Sequence, residues 1–259
     1  MARLILCWVS VCALVVALIG CSDETTATGG TGGSGDTGGD GGIGGGGEAG
    51  TGGAESVELS VTVTEAMGFS GPRPPFEGVE LCETDTLNCD TTDASGVATI
   101  QVPSNQEISY TVSTEGFAPW LIEDVTDETF RATSWPMFND MLWEDFSDAL
   151  MTPYPWTDGG IFLQVHPNIE GVTFDLVNQA AKQYYEVEEG GWSLDLTSTT
   201  SRGLGGFVEV PPGEYQVEFG GTATNCTPEI AWPGDAANRI RVQVRAGHYG
   251  YGSIACDEP

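Results

Sequence analysis

The feature that most restricts this chain is a period of two. Val57, Leu59, Val61 and Val63 alternate with Glu58, Ser60, Thr62 and Thr64. In an extended backbone the apolar four share one face and the polar four the other, which marks a half-buried strand. The pattern returns at Val79 to Cys82, Val97 to Val102 and Ile108 to Val112, cut by turn formers such as Gly71-Pro72 and Asp93-Ala94-Ser95-Gly96. Further along it runs through Ile161, Leu163 and Val165, then Val172, Phe174 and Leu176, then Tyr215, Val217 and Phe219, and last Ile240, Val242 and Val244. Short strands divided by Gly, Pro and Asp at this interval predict an all-β chain of antiparallel, Ig-like sandwiches. We expect two small sandwiches in tandem, at residues 55–122 and 159–259.

Residues 123–158 form the expected connector, and aromatic side chains crowd into and beside it: Trp120, Phe130, Trp135, Phe138, Trp143, Phe146, Tyr154 and Trp156. Within it Phe138, Met141, Leu142, Phe146 and Ala149 follow helical spacing, with Asp140, Glu144 and Asp148 toward the other side, so a short amphipathic helix ending before Pro153 is expected. Two readings of the aromatics are open. One is a packed plug filling a junction that neither sandwich covers alone. The other is a platform for a cell-surface glycan or protein, with Trp120, Trp135, Trp143 and Trp156 as candidate ligand-binding residues.

A family resemblance enters at the turns. Gly78-Val79-Glu80-Leu81, Thr92-Asp93-Ala94-Ser95-Gly96 and Val102-Pro103, followed by Gly116-Phe117, resemble the carboxypeptidase regulatory-like domain, a small transthyretin-like sandwich. In the second stretch, Gly206 to Tyr215 is similar to the same family's strand, turn and strand. The resemblance implies a non-catalytic accessory domain used for folding support, display or binding.

The first fifty-four residues belong to a different regime. Arg3 precedes an almost wholly apolar run from Leu4 to Ile19 with no acidic residue. That is a signal peptide over residues 1–20. Leu18-Ile19-Gly20-Cys21 resembles a bacterial lipobox, which implies that Cys21 carries the lipid (diacylglycerol and palmitate) that anchors the chain to a membrane. Ser22 stands where the enterobacterial pattern would read an aspartate as inner-membrane retention, so the expected location is the cell envelope, at the outer membrane and facing outward. From Ser22 to Ala54, sixteen of thirty-three residues are glycine. So little apolar surface and so much backbone entropy predict a disordered tether over 21–54, with a root-mean-square span of roughly 30 Å and a reach of about 110 Å.

Charge removes one class of partner. Eight Lys and Arg stand against thirty-eight Asp and Glu, for a formal net charge of −30. A surface this acidic repels phosphate backbones, so no nucleic-acid partner is expected. The acidity reads as solubility and self-repulsion, because no segment has the spaced carboxylates and fixed glycine of a calcium loop.

Four cysteines follow Cys21. In an oxidising compartment an even number split between two units predicts one disulfide in each, Cys82 with Cys89 and Cys226 with Cys256. Zinc is not expected, since no CxxC spacing occurs. Arg239, Arg241 and Arg245 make the chain's one basic stripe. We read it as pairing with Glu214 and Glu218 on a neighbouring strand, with an anion-binding patch as the alternative. The two histidines, His166 before Pro167 and His248 in a Gly247–Tyr249 turn, fit no HExxH pattern, and there is no GxSxG elbow. The expectation is no enzyme, no cofactor and no metal: an accessory or structural lipoprotein, with a glycan- or protein-binding module as the alternative and an unrecognised hydrolase as a third.

Overall fold

The computed structural model describes residues 55–68, 71–129 and 131–257. The expected signal peptide, Cys21 and the tether lie outside them. In chain order the elements begin with β1 (Ser56–Ala66), β2 (Glu80–Glu83), β3 (Cys89–Thr91), β4 (Val97–Pro103), β5 (Glu107–Ser113), β6 (Trp120–Val125), β7 (Arg131–Phe138) and the helix α1 (Asp140–Ala149). There follow β8 (Gly159–His166), β9 (Val172–Leu176), β10 (Lys182–Glu186), β11 (Trp192–Ser193) and β12 (Leu204–Val210). The last are β13 (Gly213–Gly221), β14 (Thr224–Ile230), β15 (Trp232–Pro233), β16 (Arg239–Val244) and β17 (Tyr249–Asp257). Among the described residues no helix is long and apolar enough to cross a membrane.

The alternating runs become strands where the sequence places them. Val57, Leu59, Val61 and Val63 are buried while their neighbours reach solvent. The Asp93 turn forms around its own side chain: Oδ1 accepts from the Ser95 hydroxyl (2.6 Å) and from the backbone N–H of Val97 (3.1 Å) and of Ser95 (2.9 Å), and those bonds, the hydroxyl's first, hold the carboxyl below its ordinary range.

The architecture differs from two sandwiches in tandem. Three sheets stack as layers within one compact unit. The first has the order β4-β1-β7, and the third β15-β16-β13-β9. Between them runs a ten-stranded sheet with the order β11-β10-β12-β8-β17-β6-β5-β2-β3, with β14 also paired to β17. Strands from both expected sandwiches are therefore neighbours in one ladder. One core lies on each face of that sheet: Trp120, Ile122, Tyr249 and Tyr251 belong to the first, Ile161, Leu163, Val165 and Ile254 to the second.

Strand β17 joins the halves. One edge pairs in parallel with β8; the other pairs in parallel with β6 at Tyr249–Tyr251 and then antiparallel with β14. Its Tyr249-Gly250-Tyr251-Gly252 run fits this place, because successive side chains point to opposite faces. The tyrosines enter the first core, while the glycines let β16 come close: a Cβ on Gly252 would lie 2.6 Å from Ile240 Cδ1, and one on Gly250 3.1 Å from the Gln243 carbonyl oxygen. The chain at Tyr249, expected as a turn, is thus a central strand.

The expected connector is also integral to the layers. Glu123 to Val125 complete β6, and β7 pairs in parallel with β1. The helix exists, starting from Asn139, whose side chain accepts the Leu142 N–H at 3.0 Å. Its inner face is set by Trp143 and Phe146, whereas Met141, expected to face inward, is exposed, and Phe138 ends the preceding strand. The physical reason is that Trp143 stacks on Tyr249, with centroids 4.8 Å apart, a larger buried contact than methionine could make.

Candidate functional site

Both predicted disulfides form. Cys82 and Cys89 face each other across the β2–β3 hairpin, and Cys226 of β14 joins Cys256 of β17. The Glu80, Cys82, Cys89 grouping is accordingly no metal site, because both thiols are consumed in the bond.

The arginine stripe is paired. Arg239 donates to Glu218 (Nε to Oε2, 2.8 Å) and to Asp235 (3.0 Å). Arg241 bonds Glu107 of β5 and reaches Glu214 at 3.4 Å, with its guanidinium 5.0 Å from the Trp232 ring centroid. Arg245 meets Asp85 at 2.7 Å. Pairing with Glu214 and Glu218 is as expected, and the pairs to Glu107 and Asp85 add links between the two halves. His166 Nε2 lies 3.6 Å from Glu229 Oε2, and His248 Nδ1 lies 2.9 Å from the Ala246 oxygen.

The four candidate tryptophans do not form an exposed platform. Trp120, Trp135, Trp143 and Trp156 are all more than nine-tenths buried. Trp120 is the hub, with Trp135, Phe138, Trp143, Phe162, Tyr249 and Tyr251 around it at centroid distances of 5.8–6.3 Å. Trp143 and Trp156 are closed into this cluster, and their indole N–H groups meet no acceptor among the described residues. The plug reading accounts for these two, at a cost of about 1–3 kcal/mol for each unmade bond, outweighed by the apolar area that each ring buries.

Trp120 and Trp135 do more, for both line a cavity of about 340 Å³ that opens beside the cluster. Their N–H groups are turned away into the protein, to the Pro136 carbonyl (2.8 Å) and to the Tyr110 hydroxyl (3.1 Å), so the cavity meets ring carbons. Tyr251 completes the inner end, 4.8 Å from Trp135. Phe162 of β8 and Trp192 of β11, half-buried and 5.5 Å apart, form the side. Leu204 fills between them.

Polar groups ring the mouth. Gln164, which lines the cavity, accepts the Tyr251 hydroxyl at 2.8 Å through Oε1, so its amide group remains a donor. Burial, the main cause, pushes the Tyr251 hydroxyl well above the ordinary tyrosine range, so it stays a neutral donor. Glu186, 6% exposed, holds its Oε2 toward Arg202 Nε (3.3 Å). The same Glu186, Trp192 and Arg202 border an adjoining recess of about 190 Å³, rimmed by Glu188, Glu189 and the Gly190-Gly191 turn. Exposed Ser134 and Arg73 close the rim opposite. Residues 184–192 on this side are acidic and aromatic in sequence, and nothing in that local pattern places Trp192 on the same cavity as Trp135.

No protein-family model matches the chain, and no curated protein does. Solved structures give distant likenesses. A cohesin–X-dockerin complex from Acetivibrio cellulolyticus aligns at 14% identity and a TM-score of 0.28, over 32% of this chain and 58% of that one. The Bacillus anthracis TIE protein aligns at 13% and 0.25, over 78% of this chain and 34% of that one. A minor pilin of Streptococcus agalactiae aligns at 12% and 0.26, over 78% and 96%. Scores this low do not establish a shared topology. What stands on the chain's own geometry is a layered all-β unit with two disulfides and an aromatic cavity.

Proposed function

We propose that this chain is a lipid-anchored, non-catalytic display module of the bacterial cell envelope, facing outward from the outer membrane. The order of features along the chain carries the reading: an apolar leader ending in Cys21, a glycine-rich segment, and then one compact β unit closed by two disulfides. Disulfides suit an exported protein. A diacylated and further acylated cysteine would hold it firmly, at about 0.8 kcal/mol per buried methylene. The resemblance of Gly78–Leu81 and Thr92–Gly96 to carboxypeptidase regulatory-like turns supports an accessory role, and Gly78 and Gly96 do adopt the positive φ such turns use (84° and 78°).

Metabolic labelling of the full chain with a palmitate analogue tests the anchor. Label on the wild type, its loss in Cys21→Ala and release of that variant from membranes are expected. An unlabelled wild type overturns the proposal. Protease treatment of intact cells tests the orientation: cleavage between residues 22 and 54 is expected, and protection places the module on the periplasmic side.

A further inference from the structure

We infer that the cavity between β7, β8, β11 and β17 binds a neutral saccharide. The inference is independent of how the chain is anchored. It follows from asking which ligand would satisfy every group that lines the site.

Aromatic ring carbons from Trp135, Tyr251, Phe162 and Trp192 present an apolar, flat-walled interior. An aliphatic ligand would suit those walls but would seal Glu186, Gln164 and Arg202 away from water without new partners, and each uncompensated group costs more than the apolar contact returns. The ligand must therefore carry several hydroxyls around an apolar face. Glu186 offers acceptor capacity: its Oε2 lies 3.3 Å from Arg202 Nε, and a carboxylate has lone pairs beyond the one that bond uses. Gln164 and Arg202 offer donors. A carboxylate, an amide and a guanidinium around stacked rings match a pyranose, whose axial hydrogens make an apolar face and whose equatorial hydroxyls both donate and accept.

Charge decides between neutral and ionic sugars. Glu188 and Glu189 flank the shared wall on one side, in a chain of net charge −30, and they repel a uronate or sulfated ring. Arg202 on the rim opposes an amino sugar carrying a free ammonium. A volume of about 340 Å³ is at the small end of ligand sites and suits a mono- or disaccharide end.

Saturation-transfer NMR on the full chain, in a detergent without a sugar head group, tests this with methyl β-glucoside, N-acetylglucosamine, glucuronate and indole as probes. Transfer to methyl β-glucoside or N-acetylglucosamine is expected, with binding weakened at least about tenfold in Glu186→Gln and in Trp192→Ala. Arg202→Met, at an exposed rim position, gives the same readout if either variant loses its thermal transition. No transfer to either neutral sugar overturns the inference. So does transfer confined to glucuronate or indole, or neutral-sugar binding that all folded variants retain.

Discussion

Glu123 of β6 accepts the backbone N–H of Gln243 of β16 at 3.1 Å, across the boundary between the central and third sheets. The residue is fully buried, and its second oxygen has no partner among the described residues. Burial is the main cause that holds its carboxyl well above the glutamate range, opposed by the Gln243 bond and by Arg245. With the folded-state value raised, the fold is best served by the protonated group. Stability is unaffected below the ordinary value of 4.5 and declines as pH rises from there until the folded carboxyl itself ionises. Glu123→Gln keeps the acceptor and cannot ionise. Relative to wild type it should be near neutral at pH 4 and more stable by about 1–3 kcal/mol at pH 8. Thermal midpoints of both proteins across that range check this; parallel curves would show that the carboxyl is not buried.

Gly160 of β8 lies under the Tyr249 ring, where an added Cβ would be 2.4 Å from Cε2. The ring cannot step aside, because Trp143 stacks on it and its hydroxyl donates to Tyr184 at 2.8 Å. Gly160→Ala should destabilise by about 1–3 kcal/mol through overpacking, read by urea denaturation. An unchanged midpoint would mean that the aromatic cluster yields.

Arg241 ties β16 to Glu107 of β5 and Glu214 of β13. All three are partly exposed, so Arg241→Met should cost only about 1 kcal/mol, less in high salt. Arg241→Glu should cost more, since it sets three carboxylates together. A loss of binding to an anion without loss of stability would revive the anion-patch reading.

The two disulfides close loops of different length, with sequence separations of 7 and 30. Loop entropy puts their contributions at about 2.5 and 3.7 kcal/mol. Replacing Cys226 and Cys256 by alanine should lower the denaturation midpoint more than replacing Cys82 and Cys89, and the reverse order would show that the denatured-state loops do not decide it.

Legibility followed burial on one face or two. Strands with one wet face, such as β1 and β16, show clean alternation in the sequence. Strand β6 does not, because it is covered on both sides and buries Glu123 and Asp124 among Trp120, Leu121 and Ile122. Those carboxylates read as surface, yet Asp124 is held by Arg131 at 2.8 Å. Strand β17 was obscured by its glycines, which mimic a turn. The tandem expectation failed for the same reason: both strands that join the halves are ones whose pattern is hidden. Of the cavity, Trp120 and Trp135 were within reach from aromatic density alone. Glu186, Trp192 and Arg202 become neighbours of Trp135 only through long-range pairing, which local pattern does not encode.

The place of β17 sets the order in which the two halves can close. Residues 249–257 fill the gap between a strand ending at Val125 and another beginning at Gly159, so β6 and β8 cannot be bridged before β17 is in place. Closure then happens late and at the middle, which favours slow, long-range folding and leaves the facing edges of β6 and β8 unpaired until it is complete.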